Sequence, residues 1–440
     1  MTAARRQVGH VAILGYEPIN VTVAPHSSHL TPHFGFHLVS RHVQRPSCCR
    51  LAPCTPYFRV ALVKMASTAT PVDLNLPHGA PPGAPPGFTD HTFVSENGVK
   101  LSVRVWPADP PVEEPAPFVI WTHGGGWLGG AHFAPLPWLS PGFRARGYHL
   151  VSHNYRLAPQ ARIDDQLSDC LESVSWLRSN LPSLLGEDKV DVDRYVLVGE
   201  SAGGHLVTLM AAHLSPPPKA VVDVYGLVDF LSIPHFCDSV QFEPWKPDNP
   251  APWKGEFTDA ELDAFLEDRN PENLLTDALA WNEQEVLTEQ QIQQYWATDF
   301  KYNRRIRLQA ELHMRRSLNF DMEGLRKGVM HREKFKTQED FVAFLEDMSP
   351  YRVLRKDQKG TYPPTAFMHG SGDEAVHIDQ SYRMAELLKS RGVPVLECYE
   401  EGEPHVYDLK YISRNINGWE TYVQPVLDFV DSHVGHESKG

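Results

Sequence analysis

YVLVGESAGGHLVTLMAAHL, residues 195–214, is the most informative run in this 440-residue chain. Tyr195 to Val198 form a short apolar run of the kind that fills a buried strand. His205 to Leu214 read as a helix, and GESAGG at 199–204 separates the two. Glycines at 199 and 203 permit a strained turn that lifts the Ser201 hydroxyl above a sheet, and the N-terminus of the next helix favours negative charge developing there. A GxSxG string alone is a weak signal. Between a strand and a helix it marks Ser201 as a candidate nucleophile and Ala202 as a candidate amide donor.

Outward from this run the chain alternates strand and helix. FVIWT at 118–122, YHLVSHNY at 148–155, AVVDVYG at 220–226, TAFMHG at 365–370 and VLECY at 395–399 are short runs bounded by turn residues, the pattern of parallel core strands. Leu167, Cys170, Leu171, Val174, Leu177 and Leu181 recur at helical spacing and predict a crossover helix. Helices are also expected over Gln380–Arg391 and near Trp419–His433, and apolar alternation around Asn97-Gly98 predicts an antiparallel entry hairpin with a tight turn. The fold class is therefore α/β, a mostly parallel doubly wound sheet with helices on both faces.

A serine hydroxyl is a poor nucleophile until a base takes its proton, so a histidine oriented by a carboxylate is required later in the chain. Asp373, in HGSGDEAVH just past the TAFMHG run, is placed to be that acid, and His405, in EGEPHVYD after VLECY, to be the base. His369, His377 and Asp379 compete, but both histidines lie beside the acid strand rather than after the last one. HGGGW at 123–127 ends the FVIWT run, where unobstructed glycine amides suit an oxyanion. Gly124, Gly125 and Gly126 join Ala202 as candidate donors.

HGGGW, NYRLAP at 154–159, GESAGG, Asp373 and His405 together resemble the alpha/beta-hydrolase superfamily, and within it the hormone-sensitive-lipase-like esterases, over roughly residues 88–435. The resemblance implies an alpha/beta-hydrolase fold, with Ser201 as nucleophile, His405 as general base and acid, Asp373 as its partner, and Gly125, Gly126 and Ala202 as oxyanion hole. It makes Glu200 a structural or positioning residue. The expected reaction is cleavage of a carboxylic ester of a small or medium-sized apolar substrate through an acyl-enzyme, without metal or organic cofactor. Arylformamidases are similar in their HGGxW-type loop and triad, so amide cleavage stays open, as does a hydrolase tailoring a secondary metabolite. Prolyl-oligopeptidase catalytic domains resemble the C-terminal half, although no propeller repeat precedes residue 118. A non-catalytic binding protein on the same scaffold is the remaining alternative.

The chain departs from that family in one respect. Residues 230–350 form a long, charged, mainly helical insertion, expected as a cap over the carboxyl ends of the strands, where ligands bind in such folds. Trp281, Tyr295, Trp296, Phe300 and Tyr302 within it suggest an aromatic or acyl pocket, or simply core. The catalytic domain is expected over 88–229 and 351–435, preceded by a Pro-rich linker at 65–87. Residues 1–64 carry seven basic residues and only Glu17 as acid. They read as a presequence, a disordered arm, or sequence upstream of a true start at Met65. Their clustered histidines, His26 to His42, are spaced to meet on one helical face and suggest metal binding, but Pro25 and Pro32 argue against that helix.

A net charge of −14 argues against nucleic acid or an anionic membrane as partner, and no apolar run is long enough to span a bilayer. The expected partner is a small-molecule ester. Six cysteines without CxxC spacing fit reduced thiols and a cytoplasmic location, or a mitochondrial one if residues 1–64 are a presequence.

Overall fold

A computed structural model describes residues 87–133, 135–233, 257–277, 308, 312, 324–357 and 361–435. The segment at 1–64, the linker up to Pro86, and Trp281, Tyr295, Trp296, Phe300 and Tyr302 lie outside the described residues.

The chain enters the sheet through an antiparallel hairpin, β1 (Thr89–Val94) and β2 (Lys100–Trp106), with Val94 opposite Lys100. The turn differs from the two-residue form that Asn97-Gly98 suggests. The Ser95 amide donates to the Val99 carbonyl at 2.8 Å, and only Gly98 takes a positive φ, of 78°. A three-residue loop ending in a left-handed glycine also matches the strand twist, so one glycine suffices.

Next come β3 (Ala116–Thr122), the short helix α1 (Leu139–Phe143), β4 (His149–His153), α2 (Ile163–Leu185), β5 (Val190–Glu200), α3 (Ala202–His213) and β6 (Ala220–Val224). After the insertion follow β7 (Thr365–Gly370), α7 (Asp379–Ser390), β8 (Val395–Glu400) and α8 (Gln424–Val434). The sheet order is β1-β2-β4-β3-β5-β6-β7-β8, parallel from β4 through to β8. This is the expected doubly wound sheet. Its strands read as apolar runs because helices cover both faces. Side-chain alternation sorts them: Phe118, Ile120, Leu197 and Phe367 face α2, α3 and α7, while Val119, Val198 and Met368 face α1 and α8. Each such fully buried aliphatic or Phe side chain stabilises the fold by about 1.5–3 kcal/mol. Before α8 the helical run opens with a π-turn, Trp419–Val423, and Pro425 stands where the run passes from π to α.

The insertion leaves at the carboxyl end of β6. Among its described residues there is only helix and turn, including α4 (Asp259–Leu266), α5 (Gln338–Asp347) and α6 (Pro350–Lys356). Thr258 and Glu261 close a reciprocal capping box on α4. The insertion is anchored on the loop after β4: the Leu157 amide donates to the Leu275 carbonyl at 2.8 Å, and Arg269 donates to the Pro159 carbonyl at 3.0 Å. None of the helices among the described residues is long and apolar enough to cross a membrane.

Candidate active site

Ser201 occupies the turn between β5 and α3 with φ 54° and ψ −118°, a conformation that L residues reach only under strain. The surroundings enforce it. The Ser201 amide donates to the Val224 carbonyl of the neighbouring strand at 2.9 Å, and the His205 amide donates back to the Ser201 carbonyl at 3.1 Å. α3 also approaches β3 so closely that a Cβ at Gly203 would lie 2.1 Å from the Thr122 carbonyl oxygen, which no side chain tolerates.

Above this turn three expected side chains meet. His405 Nε2 lies 3.0 Å from Ser201 Oγ, and His405 Nδ1 lies 2.6 Å from Asp373 Oδ2. Asp373 Oδ1 accepts from the amides of Ala375 and Val376 at 2.9 and 2.8 Å. Burial by itself would raise the Asp373 carboxyl, but hydrogen bonds from His369 and His405 outweigh it and hold the group well below the usual carboxylate range. The acid therefore stays ionised and orients the imidazole. His377 is elsewhere, exposed and paired with Asp379 at 3.2 Å. His369, which the sequence offers only as a competitor for the base, is fully buried with Nε2 3.3 Å from Asp373 Oδ2.

The His405 ring packs 4.6 Å from the ring of Tyr225. Tyr225 itself sits at φ 44°, and its hydroxyl donates to Asp408 at 2.6 Å; the same carboxylate accepts from Trp138 Nε1 at 2.9 Å. Desolvation raises the Asp408 pKa. Tyr225 and Asp408 thus brace the base from a strand end and from its own loop. Neither lies in a motif, and three-residue spacing between His405 and Asp408 carries no signal by itself.

The HGGGW loop closes the site. Gly125 and Gly126 take φ values of 107° and 60°, and a Cβ on Gly125 would lie 2.5 Å from the Gly129 carbonyl carbon. Trp127 Nε1 donates to His205 Nδ1 at 3.2 Å. One expectation needs correction: the amide of Gly124 donates to Glu200 Oε1 at 2.7 Å, so it is already engaged and drops out of the set of oxyanion donors. Glu200 Oε2 accepts from Trp121 Nε1 at 2.6 Å. Desolvation pushes the Glu200 carboxyl up to about 8. Glu200 thereby ties the nucleophile turn to the glycine loop, the structural role its position implies.

From the insertion, Asp277 reaches the same loop. Its Oδ1 accepts from the His132 amide and lies 2.9 Å from His132 Nδ1, while Oδ2 accepts from Asn154 at 2.6 Å. Sequence reading misses this clamp, because Asp277 is separated from both partners by more than a hundred residues. Among the described residues, no group of three His, Cys, Asp or Glu could hold a metal ion.

Comparison with known proteins agrees with this geometry. Residues 108–250 match the BD-FAE family model, and residues 319–437 match the prolyl oligopeptidase family. The chain is 27% identical over 342 residues to a non-reducing polyketide synthase of Preussia isomera, covering 76% of this chain but only 14% of the synthase. It is 29% identical over 151 residues to an ethyl acetate hydrolase of Pseudomonas putida, covering 32% of this chain and 45% of that protein. Among solved structures, an esterase of Pyrobaculum calidifontis aligns with a TM-score of 0.47 at 19% identity, covering 86% of this chain and 89% of that one. The chain thus spans a small part of the synthases it matches. The strand–serine–helix turn and the sheet order are those of an alpha/beta-hydrolase fold, and parts of the chain are similar in sequence to the BD-FAE family and to an ethyl acetate hydrolase.

Proposed function

We propose that the protein is a serine hydrolase that cleaves a carboxylic ester of a small or medium-sized apolar substrate. The observation that carries this reading is the continuous line from Ser201 Oγ through His405 to Asp373, at 3.0 and 2.6 Å, set at a strained turn beside a glycine loop. His405 takes the Ser201 proton as the hydroxyl oxygen attacks the acyl carbonyl, and the amides of Gly125, Gly126 and Ala202 receive the oxyanion. Donors of this kind contribute about 3–4 kcal/mol each in the transition state. The tetrahedral intermediate collapses to an acyl-enzyme as His405 returns the proton to the leaving alcohol. Water, deprotonated by His405, then releases the acid and restores Ser201.

A second reading concerns the acyl group. Several polyketide synthases match over 76–83% of this chain, others over 29–37%, and the ethyl acetate hydrolase over 32%. This favours a polyketide-type acyl group over a simple acetate.

The test is hydrolysis of p-nitrophenyl esters from acetate to palmitate, an aryl thioester and an aryl formamide, by the wild type, Ser201→Ala and His405→Ala. Turnover of esters, lost by about 10⁴-fold or more in both variants, supports the reading. Turnover of the formamide alone overturns it in favour of an amidase. A wild type that neither turns over nor takes stoichiometric fluorophosphonate label at Ser201 is a binding protein.

A further inference from the structure

Among the buried polar side chains that the mechanism above does not use, one touches the catalytic acid itself. His369, on β7, is 0% exposed and has both ring nitrogens engaged. Its Nε2 lies 2.8 Å from the Val376 carbonyl oxygen, which can only accept, so this nitrogen carries the hydrogen. In the neutral ring Nδ1 then accepts from the Ser381 hydroxyl on α7, 2.7 Å away. The same Nε2 also lies 3.3 Å from Asp373 Oδ2, the oxygen that His405 Nδ1 approaches at 2.6 Å.

We propose that His369, held by Ser381, is a positioning residue that extends the line to Ser381–His369–Asp373–His405–Ser201. The inference rests on the serine-hydrolase reading above. Its physical content is a division of charge. An ionised carboxylate with one partner on Oδ2 concentrates its field on that partner, whereas a second N–H on the same oxygen withdraws part of it. His369 therefore moderates the pull of Asp373 on His405, and it also fixes the loop that carries Asp373 by holding Val376. The other groups facing this pair do not substitute for it. Asp223 on β6 is turned to Gly226, whose amide its Oδ1 accepts at 2.7 Å. The Tyr225 ring stands 6.2 Å from the His369 ring, and the Tyr225 hydroxyl is committed to Asp408.

The experiment is the pH dependence of kcat/KM for p-nitrophenyl acetate with the full chain, as wild type, His369→Phe, His369→Gln and Ser381→Ala. His369→Phe keeps a flat ring but removes the donor. It is expected to move the acid-side midpoint of the profile upward by about half a pH unit or more, and to lower kcat more than it alters KM. His369→Gln, whose amide nitrogen reaches about as far as Nε2, is expected to return the midpoint towards wild type. Ser381→Ala should move it in the same direction as His369→Phe, by less. A midpoint unmoved in His369→Phe, with activity merely reduced, overturns the inference; if that variant does not fold, an unmoved midpoint in Ser381→Ala does so. Absence of Ser201-dependent turnover in the wild type removes the serine-hydrolase reading and this one together. Ser201-dependent turnover with unmoved midpoints removes this one alone.

Discussion

Val406 stands directly after His405 with φ 59°, and 39% of it is exposed. A β-branched residue in the left-handed region is an outlier that costs about 1–2 kcal/mol. It is not alone: Trp127, Ser201 and Tyr225 also have positive φ, at 60°, 54° and 44°, so four of the five such non-glycine residues among the described ones lie in or against the candidate site, the fifth being His331 in the insertion. Strain collected in one place is stored where chemistry needs a fixed geometry. Val406→Asn keeps the position but suits the backbone, since asparagine tolerates this region. It is expected to raise Tm by about 1–3 °C in calorimetry; an unchanged or lower Tm would mean that side-chain packing, not backbone strain, dominates there. Ser201, Asp373 and His405 were legible because each follows a recognisable strand. Tyr225, Asp408 and His369 were not, because what distinguishes them is a neighbour brought near by folding.

At the scale of elements, the strands were legible from apolar runs bounded by turns, and α2 from its stripe. The three-residue hairpin loop was not, since Asn-Gly fits both lengths. Asp277 illustrates the other limit: one carboxylate of the insertion holds the loop after β3 through His132 and the end of β4 through Asn154. Removing it strands donors that are then unsatisfied, at about 1–3 kcal/mol each. Asp277→Ala is expected to lower kcat about tenfold or more by loosening the glycine loop that presents the oxyanion donors. Unchanged kcat on p-nitrophenyl acetate would show that the glycine turns hold the loop without the insertion. Close approach makes a sharper test of the fold. Gly203→Ala drives a Cβ into the Thr122 carbonyl, and a loss of about 3 kcal/mol or more, read by urea unfolding, is expected.

For the whole molecule, buried titratable groups set a pH optimum of stability. His123, His205 and His331 are lowered by desolvation from 6.5 to about 4, and His153 to about 3. Between those values and 6.5 the unfolded chain binds protons that the native state does not, so stability rises with pH across that window. Desolvation acts on Glu200 in the opposite sense, raising it from 4.5 to about 8, and on Asp223, raising it from 3.8 to about 6. Here the native state keeps protons that the unfolded chain has lost, and stability falls as pH rises. His91, His149 and His213 are lowered too, and Asp169 and Asp408 raised, so seven histidines stand against four acids below 6.5, while above it Glu200 is the carboxyl raised furthest. Tm is therefore expected to peak near pH 6.5, the histidines' ordinary value, and to decline towards pH 8, less steeply in Glu200→Gln. A Tm that climbs through pH 8 in the wild type would contradict the assignment.

The position of the insertion between β6 and β7 also orders events in time. Ser201 and His405 are 204 residues apart. At ribosomal rates of about 5–20 residues per second, the nucleophile is synthesised roughly 10–40 s before its base. β1 to β6 and the turn at Ser201 can pair during that interval, but β7 and β8, which bring Asp373 and His405, join the sheet only after the insertion has been made. A nascent chain thus displays a hydroxyl with no partner until His405 has been made, and the proposed Ser201–His405–Asp373 line is complete only then.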